Sequence, residues 1–247
     1  MTGTESRPSV RAGDIAPDFT LPLVSGEGQV SLACYRGTAL LLAINRGLWC
    51  SFCRRYVVQL GAVRERLAES GTDLLVIVAS ELERVRLYVK HRPLPVPLAA
   101  DPDRITHRAY GLPMPPMTAQ IVQVAETLRV ELQQTAVTAE DLAELRVTAR
   151  AEAAQAMETP ERAMGSPEQL PLWDFIHMQR RLYPYAMTEG ERQEWHRHRT
   201  LGTGQFLIDR DGLVRWAKVQ DTTQPPAALG NFASAAELVA AARTLRS

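Results

Sequence analysis

Ala39-Leu-Leu-Leu-Ala-Ile-Asn-Arg-Gly-Leu-Trp-Cys-Ser-Phe-Cys53 is the stretch from which the fold can be read. Its first part, Ala39 to Ile44, is an unbroken apolar run of strand length, and Leu74-Leu-Val-Ile-Val-Ala79 is a second. Runs without polar alternation are the pattern of central strands covered on both faces. Between them Val57, Leu60, Val63 and Leu67 recur at helical spacing, Arg and Glu fill the other face, and Glu69-Ser-Gly71 supplies a stop. Strand, helix and strand in this order predict a βαβ unit. A parallel pair joined by a helix crosses over right-handed, which puts the loop Arg46 to Cys50 at the carboxyl edge of the sheet, where ligand sites of open α/β sheets lie.

Outward from this unit, Asp18-Phe-Thr-Leu-Pro-Leu and Val30-Ser-Leu read as two short strands around Gly26 to Gly28, ended by Tyr35-Arg36-Gly37. A helix is predicted from about Glu81 to Lys90, stopped by Pro93, Pro95 and Pro97, with a short one near Arg104 to Tyr110. Phe206 to Trp216 reads as two strands joined by an Asp-Gly turn, with Asp209 and Asp211 as turn residues, and Ala235 to Leu245 as an amphipathic closing helix. The sum is an α/β sandwich with a mixed central sheet. The stretch Pro113 to Thr200 is too long for a loop in a compact domain. Ile121, Ala125, Leu128 and Leu132 share one helical face, as do Leu142, Leu145, Ala149, Ala153 and Ala156, and Thr138, Thr159, Ser166 and Thr188 are helix starts. An all-α insertion is therefore expected over residues 113–200, between two parts of one discontinuous domain, 13–112 and 201–245, preceded by a flexible segment, 1–12. The Ala149 to Ala156 seam suits close helix packing, within the chain or across a homodimer.

The chain has 247 residues, 45% of them hydrophobic, enough for one good core. Lys+Arg 28 against Asp+Glu 28 leaves no global field to attract nucleic acid or an anionic bilayer. No apolar stretch reaches the roughly 20 residues that span a membrane, and Met1 to Gly13 has no apolar core of a signal peptide. A cytoplasmic protein with neither nucleic-acid nor membrane partners is expected. Three cysteines are too few for a secreted disulfide scaffold, but Cys50 and Cys53 form a C-x-x-C pair.

At a strand-to-helix junction, Cys50 would stand at a helix N-terminus with Cys53 one turn further in. Unpaired backbone N–H groups and the positive end of the helix dipole stabilise a thiolate there, lowering a thiol pKa from about 8.5 to roughly 7 or below. Arg54 and Arg55 can add to that effect. The thiolate attacks disulfides and peroxides alike, and a thiol three residues on can close an internal disulfide. Half a zinc site has the same spacing, but there is no second C-x-x-C and no H-x-x-x-H. His177, His196 and His198 could assemble a metal site only by folding the insertion onto itself, and a solvated helix face explains the latter two. Trp173, Phe175, Tyr183 and Tyr185 read as the insertion's own core. Neither G-x-G-x-x-G nor a Walker pattern is present, so no nucleotide, flavin or metal is implied. Cys34, alone in sequence, reads as a small buried hydrophobe.

Gly13-Asp-Ile-Ala-Pro-Asp-Phe-Thr-Leu-Pro22, Val30-Ser-Leu with Tyr35-Arg-Gly37, Arg46-Gly-Leu-Trp-Cys-Ser-Phe-Cys-Arg-Arg55, Ala109-Tyr-Gly-Leu112 and Phe206-Leu-Ile-Asp-Arg-Asp-Gly212 together resemble the AhpC/TSA family. This is the redoxin branch of the thioredoxin-fold superfamily, and the likeness is to its peroxiredoxin-like members with a Trp-Cys-x-x-Cys site. It covers Gly13 to Leu112 and about Gly204 to the end, leaving the insertion outside. The resemblance implies a thioredoxin-like fold and an antioxidant thiol-disulfide oxidoreductase. In that reading Cys50 attacks a disulfide or hydroperoxide, Cys53 resolves the adduct, and an external thiol regenerates the pair; Trp49, Gly47, Arg54 and Thr203 line the site. Peroxiredoxins place a Pro seven residues and a Thr or Ser three residues before the reactive Cys, and an Arg near the later strand; Ala43, Gly47 and Thr203 stand there here. Thioredoxins keep a cis-Pro before that strand, where Thr203 is again the nearest residue. The pair itself resembles the thioredoxin site more, so disulfide exchange leads, with a thiol peroxidase in which Cys50 is peroxidatic as the alternative. A reading of another class is a redoxin-fold interaction protein whose insertion binds a partner.

Overall fold

A computed structural model describes residues 8–48, 51–91, 93–112, 202–220 and 232–246. Residues 113–200, and with them the expected helical insertion, its dimer seam, its histidines and its aromatic cluster, lie outside this set. In chain order the elements are β1 (Thr20–Pro22), β2 (Gln29–Ser31), a 3-10 turn (Leu32–Tyr35), β3 (Ala39–Asn45), α1 (Ser51–Glu69), β4 (Thr72–Val78) and α2 (Leu82–His91). They continue with β5 (Leu98–Ala100), α3 (Ile105–Ala109), β6 (Gly204–Ile208), β7 (Val214–Val219), α4 (Ala235–Arg243) and a closing 3-10 turn (Thr244–Arg246).

Five strands form one sheet in the order β5-β4-β3-β6-β7. β3 and β5 flank β4 in parallel, whereas β6 runs antiparallel to both β3 and β7, so the sheet is mixed as the sequence predicts. β3 is central, and all seven of its residues are buried. Leu41 and Ala43 enter the cluster built from Val57, Leu60 and Val63 of α1 and Leu238 and Ala242 of α4. Leu40, Leu42 and Ile44 enter the opposite cluster with Phe19, Leu21, Tyr110 and Phe206. Each such aliphatic side chain contributes roughly 1.5–3 kcal/mol by leaving water, which is why a continuous apolar run suits this position and no edge.

Local sequence explains most boundaries. At the start of α4, Ser234 Oγ accepts the Glu237 N–H at 3.1 Å while the Glu237 carboxylate accepts the Ser234 N–H at 2.8 Å, a reciprocal cap on two otherwise unpaired donors. Tyr56 of α1 stacks on Phe232, just before α4, with ring centroids 4.1 Å apart. The β6–β7 connection is wider than an Asp-Gly pair alone. Asp209 accepts the N–H groups of Asp211 and Leu213, and Gly212 takes a positive φ of 89°.

Three expectations change. β5 was not legible: Leu98-Ala-Ala follows three prolines and has low strand propensity, yet it pairs from Val76↔Leu98 to Val78↔Ala100. Residues 8–12 of the segment expected to be flexible are described, and Ser9 and Val10 are docked. Val10 is buried and donates its N–H to the Tyr110 carbonyl at 3.1 Å, while Ser9 Oγ donates to that of Gly111 at 2.7 Å. Cys34 is exposed rather than buried, because Leu32 takes the inward position of the 3-10 turn. Its thiol sits 3.5 Å from Ser31 Oγ, and that contact lowers its pKa. Among the described residues no helix is long and apolar enough to cross a membrane.

Candidate active site at the end of the central strand

β3 ends at Asn45, whose carbonyl still accepts the Ala79 N–H at 3.2 Å. The chain then runs through Arg46, Gly47 and Leu48, all buried, and α1 begins at Ser51. Trp49 and Cys50 lie between Leu48 and Ser51 in the chain and outside the described residues. The C-x-x-C pair thus spans the strand-to-helix junction at the carboxyl edge, and Cys53 is fully buried in the first turn of α1. That turn carries backbone N–H groups with no partner inside the helix, and its dipole end is positive.

Gly47 has φ 151°, a region that side chains rarely adopt. A Thr or Ser at this position would be strained, so the loop's own backbone disfavours the hydroxyl that peroxiredoxins carry there. Arg54 is buried, and its Nη1 donates to the Leu48 carbonyl at 2.7 Å. It ties the loop before the cysteine pair to the helix after it. Thr203 lies one residue before Gly204, which pairs with Ile44, and is also buried. Its carbonyl accepts the Gln220 N–H at 2.9 Å, and its hydroxyl donates to Gln220 Oε1 at 3.5 Å. The Arg46 guanidinium donates to the same Oε1. No peptide bond among the described residues is cis.

The structure therefore brings Gly47, Arg54, Cys53 and Thr203 to one edge, and adds residues that the sequence reading did not single out as site residues. Arg46 follows directly on a run of buried residues, a signal that could have marked it; Gln220 had none. Asn45 is fully buried, and neither of its side-chain polar atoms has a hydrogen-bond partner among the described residues. Beside this edge Asp101, Arg104 and His107 are all buried. Arg104 adopts φ 53°, and the Asp101 carboxylate accepts the N–H groups of Ile105 and Thr106, each at 2.9 Å. Burial works against the charged Asp101, but His107 and Thr106 beside it outweigh that and hold its pKa below the usual value. Burial pushes the His107 pKa down; Asp101 opposes this, while the Arg104 and Arg46 guanidiniums reinforce it. Among the described residues no three His, Cys, Asp or Glu side chains gather as metal ligands.

Fold and site together define a redoxin: a thioredoxin-like α/β sandwich with a Cys-x-x-Cys sequence at the β3–α1 junction. The chain belongs to the AhpC/TSA family, whose model matches residues 12–138. Among solved structures, the peroxidoxin BcpB from Mycobacterium tuberculosis superposes with a TM-score of 0.51 at 12% identity, covering 96% of this chain and 99% of that one. The reduced 2-Cys peroxiredoxin of Plasmodium vivax gives 0.52 at 11%, covering 96% and 82%. Peroxiredoxin Q of Xanthomonas campestris gives 0.50 at 13%, covering 93% and 92%. At these identities the likeness shows the fold. No curated protein matches the chain.

Proposed function

We propose that the protein is a thiol-disulfide oxidoreductase in which Cys50 attacks and Cys53 resolves. The observation that carries this reading is the burial of Cys53 in the first turn of α1, three residues after Cys50. A buried thiol cannot meet a substrate from solution, but it can meet a sulfur attached one helical turn away. The Cys50 thiolate attacks one sulfur of a substrate disulfide, forming a mixed disulfide and expelling the other sulfur as a thiolate that takes up a proton. Cys53, deprotonated, then attacks the Cys50 sulfur and expels the second substrate thiol. The substrate gains two electrons and the protein is left with a Cys50–Cys53 disulfide. An external thiol returns the pair to its reduced form, in a reducing compartment such as the cytoplasm, and neither metal nor cofactor takes part.

Membership of the AhpC/TSA family favours a second reading, in which a hydroperoxide oxidises Cys50 to a sulfenic acid with release of an alcohol or water. Cys53 would then condense with it, losing water, to the same disulfide. The strained position of Gly47 ranks this second. Reduced full-length protein exposed to a small-molecule disulfide or to hydrogen peroxide, followed by alkylation and peptide mass mapping, tests both. The expected result is a Cys50–Cys53 disulfide that forms faster with the disulfide. Cys53→Ser should trap the mixed disulfide on Cys50, and Cys50→Ser should abolish reaction. Thiols at both positions that stay alkylatable in the presence of either oxidant would overturn the proposal, and faster reaction with peroxide would reverse the ranking.

A further inference from the structure

α3 is five residues long, and so short a helix has no stability of its own; it persists because the rest of the fold holds it. The hold is at its N-terminal end. The Asp101 carboxylate, just after β5, accepts the N–H groups of Ile105 and Thr106 and the Thr106 hydroxyl, while the Asp101 N–H donates to the Val78 carbonyl of β4 at 2.8 Å. Between this clamp and the helix stands Arg104, fully buried with φ 53°, a left-handed backbone that residues with a side chain seldom take. At its other end α3 anchors further chain. Leu112 donates its N–H to the His107 carbonyl at 2.9 Å, Tyr110 Oη donates to the Pro17 carbonyl at 3.0 Å, and the carbonyls of Tyr110 and Gly111 hold Val10 and Ser9. In the middle is His107, fully buried, with neither ring nitrogen making a well-formed hydrogen bond among the described residues. The charged groups that face the ring are Asp101 from the end of β5, Arg104 from the turn before α3 and Arg46 from the end of β3.

We propose that α3 is an acid-released latch: protonation of the buried His107 opens residues 101–112, and with them the N-terminal segment docked there, while the central sheet stays folded. An imidazolium is a positive charge with two N–H donors, and it needs water or acceptors for both. In the closed latch only Asp101 favours it, with a carboxylate that already accepts three donors, whereas burial and both guanidiniums oppose it. Once the segment opens, the ring meets water and binds its proton with ordinary affinity, so the open form gains as pH falls below about 6.5. The clamp itself does not titrate in this range, because the Asp101 carboxyl is held below its ordinary 3.8; His107 is the trigger. β3 and β4 have no part in the release, since their ladder runs from Ala39↔Thr72 to Asn45↔Val78 and both are packed on two buried faces. The latch does not depend on the roles assigned to the cysteines.

The test is hydrogen–deuterium exchange of the full-length protein at pH 7 and pH 5, read by peptide mass spectrometry and corrected for the pH dependence of exchange in the unfolded chain. Between the two conditions the amides of Ile105, Thr106, Tyr110, Leu112 and Val10 are expected to lose protection about tenfold, and those of β3 and β4 to keep theirs. In His107→Gln, which cannot take up the proton, protection of the same amides should be independent of pH. Circular dichroism establishes that each variant is folded. Protection of residues 101–112 that is equal at the two pH values overturns the proposal, and so does a loss of the same size in β3 and β4, which is global unfolding rather than a latch. A folded His107→Gln that loses protection as the parent does overturns it as well. Should His107→Gln fail to fold, Arg46→Gln decides: removing a cation that faces the ring should weaken the release at pH 5, and a loss equal to the parent's counts against the proposal.

Discussion

His107 shows what burial does to a single side chain. It is fully buried, faces the Asp101 carboxylate, and lies within the fields of Arg104 and Arg46. Its folded pKa is below the ordinary 6.5, so the unfolded chain binds a proton more readily than the folded one. Its contribution to stability is therefore full above about 6.5 and lost as pH falls through the depressed folded value. Asp101 acts in a separate window: its contribution is full above the ordinary 3.8 and fades only below that. The melting temperature should thus fall between pH 7 and pH 5, and in His107→Gln that slope should flatten. Equal slopes in the two proteins would refute this assignment. None of it is visible in the sequence, where His107 sits in an ordinary polar stretch. Asp209 is the contrast, because its bonds to the N–H groups of Asp211 and Leu213 are made within the same turn that the sequence announces.

Among the elements, α1 is the one best marked in the sequence, and Gly61 is its anomaly. In an open helix, replacing Gly by Ala gains about 1 kcal/mol. Here a Cβ at Gly61 would lie 2.3 Å from Pro95 Cγ, so the helix can pass this loop only without a side chain. Gly61→Ala is accordingly expected to destabilise by about 1–3 kcal/mol, since forced overpacking outweighs propensity, and urea unfolding reads the sign directly. A stabilised variant would mean that the loop yields. Pro93, Pro95 and Pro97 read as helix breakers, which is correct for α2. The same prolines carry the chain over α1 and into β5, whose three residues have strand form because Val76, Ile77 and Val78 offer them a ladder. Propensity marks where an element stops; pairing decides where a short one forms.

At the scale of the molecule, both clusters share β3, so damage to either face is damage to the whole. Leu42 is fully buried on the face opposite α1. Leu42→Ala should cost about 2–5 kcal/mol, a large part of the 5–15 kcal/mol that domains of this kind possess. The denaturation midpoint should drop while the alkylation midpoint of Cys50 stays where it is under conditions in which the variant remains folded. A shifted thiol titration would instead show that the two faces are coupled through the strand.

The class of fold, the βαβ unit, the terminal hairpin and the place of the cysteine pair follow from periodicity, capping and turn chemistry, and these act over a few neighbouring residues. Family membership follows from the same local stretches. The surroundings of the pair arise differently. Arg46 and Gln220 are 174 positions apart, and Thr203 reaches the site because β6 pairs with β3. His107 comes within the field of Arg46 only once β4 and β5 are laid beside β3. Hydrogen bonds and charges act through space, and the order of strands in the sheet sets which residues are close enough to feel them. The cysteine pair is therefore legible in the linear chain, whereas the buried residues gathered at the same sheet edge come into view only in the folded sheet.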